Sequence, residues 1–253
     1  MTVRDIYGYI NSIAPYDMQL GFDNSGLNVG GMDCPTRKIG ICLDLTAEAV
    51  DFAHSNDIDL IISHHPVIWS GLKSVRSDDV VYSLIKYGIA ALSAHTNLDA
   101  ANGGVCDTLC TALGINTLEN AYLDEYPDVP IARLGVIDGE MSADDFAVFL
   151  KEKLAAPDVR YHSCGLPVRK IGIFNGAGAD LIPFAKAHGA DSVVTGDVKH
   201  HEWLDAAKLG INLFDAGHFC TENLIVSKLC GLINEKFGDI AQIIPQTAPY
   251  KAV

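Results

Sequence analysis

Short apolar runs rich in β-branched residues alternate with amphipathic segments along this chain, and that alternation predicts an α/β protein. Residues 37–44, Arg-Lys-Ile-Gly-Ile-Cys-Leu-Asp, read as a buried strand. A helix over 47–54 follows, with Thr46 as its cap and Val50 and Phe52 among its apolar residues. Leu60, Ile61 and Ile62 then form a second strand. Strand, helix and strand make a βαβ unit, so the two strands should be parallel with a right-handed crossover. Upstream, Thr2 caps a helix with Asp5 three residues later, Ile6, Ile10 and Ile13 supply its apolar stripe, and Pro15 ends it. Residues 21–30 are rich in turn formers and too polar for a core strand. They read either as a plain loop or as a loop folded over a pocket.

Residues 89–94 form a short apolar strand leading into a polar loop with His95, Asn97 and Asp99, then Gly103-Gly104 and a helix through Leu109 and Leu113. Segment 122–130, polar with two prolines, is the expected linker. A strand at 134–137 precedes a helix that Ser142 opens, with Asp145 in the reciprocal capping position and Phe146, Phe149, Leu150 and Leu154 facing inward. A helix holding Trp203, Leu204 and Ala207, a strand at 211–214 and a long helix from His218 towards Phe237 complete the pattern.

The βαβ unit occurs twice. Arg169-Lys170-Ile171-Gly172-Ile173 repeats Arg37–Ile41 at an offset of 132, and nine of the 27 positions from 37 to 63 are identical to their partners. Five consecutive identities favour duplication over chance. The expected architecture is two pseudo-symmetric α/β lobes, 1–122 and 123–253, with a site between them.

Composition narrows the function. The formal net charge of −14 argues against a nucleic-acid groove and against an anionic membrane surface. The cysteines number seven, an odd count with no Cys-x-x-Cys, so neither a disulfide framework nor a thiolate zinc site is indicated. The amino-terminal residues have no apolar signal core, and no apolar run is long enough to span a bilayer. A protein of a reducing compartment, the cytoplasm, is expected.

Three strand ends carry residues that bind metals. His64-His65 follows the Leu60–Ile62 strand, and Pro66 keeps His65 out of helical backbone. His95 and Asp99 follow the second such end; His218 and Glu222, one helical turn apart, follow the third. On a parallel sheet such ends share one edge. Three histidines with two carboxylates exceed what one zinc ion needs and suit two ions a few ångströms apart. Without thiolate ligands, Zn, Fe, Mn, Co or Ni is expected rather than copper(I) or an iron–sulfur cluster.

Ser-His-His-Pro at 63–66, His-Thr-Asn-Leu-Asp-Ala-Ala-Asn-Gly-Gly-Val at 95–105 and Gly-His-Phe-Cys-Thr-Glu at 217–222 resemble the signatures of the Nif-three-like dinuclear metal centre proteins, also named GTP cyclohydrolase I type 2 homologues. Residues 22–30 and Thr-Gly-Asp-Val-Lys-His-His at 195–201 are similar too, with Phe22 where the family commonly has Trp. The likeness spans essentially the whole chain, in the short form without an inserted middle domain. It implies His64, His65, Asp99, His218 and Glu222 as ligands of two divalent ions, and a ring-shaped homohexamer. A metal-dependent hydrolase with a metal-activated water is then expected, acting on GTP or a smaller substrate. His95 or His201 would move protons, and Asp44 would either orient a ligand imidazole or cap the 47–54 helix. The same ligands suit a dinuclear phosphoesterase or amidohydrolase, or a metal-holding scaffold without activity.

Overall fold

Helix α1 (Val3–Ile13) begins as its sequence predicts, the Thr2 amide donating to the Asp5 carboxylate at 2.7 Å. This computed structural model describes residues 1–122 and 125–252. Leu123 and Asp124 of the expected linker lie outside the described residues. After α1 come β1 (Gly26–Val29), β2 (Ile39–Cys42), α2 (Ala47–Ser55), β3 (Leu60–Ser63), α3 (Val80–Tyr87), β4 (Ala90–Ser93) and α4 (Thr96–Ala100). Then follow α5 (Val105–Ala112), β5 (Asn116–Ala121), β6 (Ala132–Met141), α6 (Ala143–Lys153), β7 (Arg160–His162), β8 (Val168–Ile173), α7 (Ile182–Ala187), β9 (Ser192–Thr195), α8 (His200–Leu209), β10 (Asn212–Asp215) and α9 (His218–Glu222). Helix α10 (Leu224–Phe237) and β11 (Ala241–Ile243) complete the chain. The long helix expected from His218 is thus two helices separated at Asn223.

Two compact units result. Met1–Asn102 and Ile225–Thr247 form one; Gly103–Leu224 and Ala248–Val253 form the other. This differs from a single border at 122, because β5 pairs with β6 in the second unit while β11 returns to pair with β2 in the first. The first is a pairing of strands adjacent in the chain; the second joins strands far apart in it.

The first unit holds a sheet of order β1-β4-β3-β2-β11. β4, β3, β2 and β11 run parallel, and β1 is antiparallel on β4. Every residue of β2, β3 and β4 is buried, as expected of parallel strands covered on both faces. β1 corrects the expectation of a loop over 21–30: at a sheet edge, burial of Gly26 and Val29 suffices, and Leu27 and Asn28 stay partly exposed.

The second unit holds a sheet of order β5-β6-β8-β9-β10-β7, with β8, β9 and β10 parallel. Phe146 and Phe214 pack edge to face at 4.9 Å in its core. Ser142 caps α6 as expected, accepting from the Asp145 amide at 3.1 Å.

The duplication extends to hydrogen bonds. Asp59 accepts from the amides of Arg37 and Lys38 at 2.9 and 3.2 Å, and Asp191 accepts from those of Arg169 and Lys170 at 3.0 and 2.9 Å. Lys38 Nζ donates to the Asn56 carbonyl at 2.8 Å, and Lys170 Nζ to that of His188 at 2.7 Å. The repeated glycine has a packing reason. A Cβ on Gly40 would stand 2.7 Å from Ile244 Cδ1, and one on Gly172 3.1 Å from Ala185 Cβ.

Asp59 offers a test of what holds the first βαβ unit together. Burial pushes its carboxyl up, but the Arg37 guanidinium and the Arg37 and Lys38 amides outweigh this and hold it below the usual carboxylate range. A lowered folded pKa means stability that is present above the unfolded value, about 3.9, and lost as pH falls through the folded one. Asp59→Asn should lower stability at neutral pH by about 1–2 kcal/mol, with the gap from the parent closing below about pH 4. Urea midpoints from pH 3 to 7 measure it.

Candidate metal centre

In the first unit, the ladder beyond β3 delivers both histidines. The His64 amide donates to the Cys42 carbonyl at 3.2 Å and the His65 amide to that of Leu43 at 3.0 Å. His64 is 2% exposed, and its Nδ1 donates to the Ala94 carbonyl at 2.8 Å. A carbonyl only accepts, so Nδ1 carries the proton and Nε2 keeps its lone pair. Nε2 stands 3.5 Å from Asp99 Oδ1, which α4 supplies one turn after His95. His65 Nδ1 donates to Asp44 Oδ1 at 2.7 Å. Asp44 is therefore an imidazole-orienting carboxylate and not the helix cap: Thr46 caps α2, accepting from Ala49 at 3.2 Å. Gln246 fixes the Asp44 turn, accepting from the Leu43 and Asp44 amides at 2.9 and 3.1 Å and donating to the Asp44 carbonyl at 2.7 Å.

His95 joins this pair. The rings of His64 and His65 lie 5.2 and 5.4 Å from it, and a ligand nitrogen of each of the three lies within 4.8 Å of the others. Its Nδ1 donates to Asp23 at 2.9 Å. Asp23 also accepts from the Thr96 amide and the Thr96 and Ser25 hydroxyls. Burial pushes the Asp23 carboxyl up, but the hydrogen bonds from His95, Thr96 and Ser25 prevail and hold it below the usual range. Segment 21–25 is thus a loop folded against the cluster.

In the second unit, His218 and Glu222 meet across one turn of α9, Nε2 to Oε2 at 3.0 Å. His218 Nδ1 donates to Asp197 Oδ2 at 2.8 Å. Asn175 Nδ2 donates to Glu222 Oε1 at 3.1 Å, and the buried Cys106 thiol donates to Asn175 Oδ1 at 2.7 Å. Gly176 makes room for the carboxylate: at φ +59°, a Cβ there would lie 2.2 Å from Glu222 Oε1.

The repeat explains which ligands each unit offers. Offset by 132, Asp44 faces Gly176, His64 faces Gly196 and His65 faces Asp197. Gly196 has no room for an imidazole, since a Cβ there would stand 2.5 Å from the His218 amide nitrogen. The three strand ends also do not share one sheet edge as expected. β3 and β4 belong to the first sheet and β10 to the second.

The His201 side chain is 68% exposed on α8, with Glu202 as its acidic neighbour at 4.0 Å. Asp23, Asn175 and Asp197 were not legible as site residues from residue chemistry. The repeat itself carried a signal for Asp197, which occupies the position of His65.

A family model described as Duf34/NIF3 (NGG1p interacting factor 3) matches residues 1–249. The chain belongs to the Duf34/NIF3 family. Among relatives of the NIF3 chain, a GTP cyclohydrolase 1 type 2 homolog of Clostridium perfringens is 34% identical, covering 98% of this chain and 97% of its own. The GTP cyclohydrolase 1 type 2 of Helicobacter pylori is 27% identical, covering 96% and 99%. The crystal structure of a Staphylococcus aureus hypothetical protein is 26% identical, with a TM-score of 0.91 over 100% of this chain and 99% of that one. The expected NIF3-like α/β fold with its duplicated lobes is therefore established.

The donor set fits transition metal ions. His64, His65, His95 and His218 each commit Nδ1 to an acceptor, and Nε2 of His64 and of His218 points at a carboxylate, Asp99 at 3.5 Å and Glu222 at 3.0 Å, a pairing of nitrogen and oxygen donors that a cation can join. Asp44→Asn, which can present an amide N–H to the His65 ring, should weaken zinc binding about 10- to 100-fold in a chelator competition. Gly176→Ala should weaken it as well, because its methyl group displaces the Glu222 carboxylate, and circular dichroism should show the fold retained. Unchanged zinc affinity in both variants would contradict this geometry.

Proposed function

We propose that this NIF3 protein is a metal-dependent hydrolase of the GTP cyclohydrolase 1 type 2-like class. The observation that carries the proposal is the fixed orientation of its histidines, each held through Nδ1, with Nε2 of His64 and of His218 directed at the carboxylates of Asp99 and Glu222. The proposed ligands are His64, His65, Asp99, His218 and Glu222, and the proposed cofactor is a pair of divalent ions. Bound there, such ions lower the pKa of a water towards neutrality and hold the resulting nucleophile.

The protein's own residues supply the rest. Asp44, the Ala94 carbonyl and Asp197 fix the ring planes, so the imidazoles need no reordering on binding. His95 sits among the ligand histidines with Nδ1 tied to Asp23, so its Nε2 is the proposed carrier of a proton to or from substrate. The exposed His201 is not assigned this role. The substrate class follows from the relatives' names, which include GTP cyclohydrolase 1 type 2 itself. The resemblance further implies a ring-shaped homohexamer, which is part of the proposal.

Elemental analysis paired with GTP turnover tests the proposal. About two metal ions per chain are expected, with GTP ring opening in reconstituted protein that His65→Ala loses. Glu222→Gln should abolish turnover. Two ions without GTP turnover would redirect the proposal to phosphoesters and amides, and full activity in metal-replete Glu222→Gln would remove the role assigned to Glu222. Light scattering that finds a monomer would remove the hexamer.

A further inference from the structure

Trp69 is the largest apolar side chain that the candidate centre leaves exposed. Its residue is 52% exposed, yet its ring packs edge to face on His95 at 5.1 Å and lies 6.2 Å from His65. The backbone leading to it is pinned. Asn24 Nδ2 donates to the Ile68 carbonyl at 2.6 Å, and the Val67 amide donates to Asn28 Oδ1 at 3.1 Å. These bonds join Trp69 to the loop that carries Asp23, the residue holding His95. Phe22, one residue before Asp23, is 63% exposed. Exposed aromatic surface beside a polar cluster is the usual composition of a ligand site, with an apolar platform and a few placed polar groups.

We propose that Trp69 is the platform on which a planar heteroaromatic ring of the substrate stacks, within reach of the imidazole cluster. This rests on the hydrolase reading and deepens it by naming the substrate class as a purine-like ring. Trp69 offers a wide π-face 5.1 Å from the His95 ring and 6.2 Å from the His65 ring, so a stacked ring is held near both. Stacking does not read hydrogen-bond pattern, so Trp69 supplies affinity and position for any flat base. An electrostatic contact to a phosphate tail is not needed for this step, which accords with the net charge of −14.

The chain has two tryptophans, so Trp203→Phe leaves Trp69 as the sole tryptophan, excited selectively at wavelengths beyond tyrosine absorption. Guanosine titrated into that metal-loaded protein should quench its emission saturably, and inorganic triphosphate should not. Trp69→Ala should weaken guanosine binding in equilibrium dialysis roughly 5- to 100-fold, from the usual value of stacking on one aromatic side chain. Trp69→Phe should recover most of it. With GTP as substrate, Trp69→Ala should raise KM by a similar factor, leaving kcat and metal content near the parent values. Guanosine that leaves Trp69 emission unchanged, or binds Trp69→Ala as tightly as the parent, would overturn the proposal. So would emission that follows protein concentration instead of guanosine, with Trp69→Ala lowering the sedimenting mass, because a second copy of the chain would then cover the ring. Trp69-dependent guanosine binding without GTP turnover would support the platform while removing the GTP cyclohydrolase reading. Turnover with unchanged KM in Trp69→Ala would do the reverse.

Discussion

An imidazole has two nitrogens, and the candidate centre depends on one of them being spoken for. In each of the four histidines concerned, Nδ1 faces an acceptor that cannot donate: the Ala94 carbonyl, or the carboxylates of Asp44, Asp23 and Asp197. That holds each ring in one plane and, except in His218, whose Nε2 also meets the Glu222 carboxylate at 3.0 Å, places the proton on Nδ1. Without those acceptors the same histidines would rotate and exchange tautomers, and coordination would require ordering them first. The supports are themselves supported. Gln246 clamps the turn that carries Asp44, and Thr96 and Ser25 saturate Asp23.

Duplication supplied the scaffold, and divergence at matched positions supplied the chemistry. Both units keep the aspartate that ties the first strand to the second, Asp59 and Asp191, with the same amide partners. At the strand ends they part. The first unit places Asp44, His64 and His65 where the second has Gly176, Gly196 and Asp197. The glycines are steric necessities: one leaves space for Glu222, the other for the backbone that opens α9. The second unit therefore gives up the adjacent histidine pair and presents a helical His218–Glu222 pair instead.

Much of this was readable in advance. The short apolar runs located β2, β3, β4 and β10, because strands buried on both faces are mostly apolar along their length. The repeated Arg-Lys-Ile-Gly-Ile announced the duplication. The short, polar or half-exposed strands carry no such signal: β1, whose turn formers predict a loop, and β5, β7 and β11, whose pairing decides their state. The unit border differs for the same reason, since β5 and β11 are assigned by the strands they pair with, β6 and the distant β2.

The sequence by itself determined the fold class, the duplication and the identities of the metal-type residues, because periodicity and residue chemistry act within a few positions. Only the tertiary structure decided which neighbours make those residues competent. His95 meets Asp23 across 72 positions, His65 meets Asp44 across 21, and the Asp44 turn meets Gln246 across 202. A carboxylate in a turn looks the same in the sequence whether it faces water or an imidazole. The difference lies in burial and direction, which arise only when the strands have paired and the loops between them have been packed against one another.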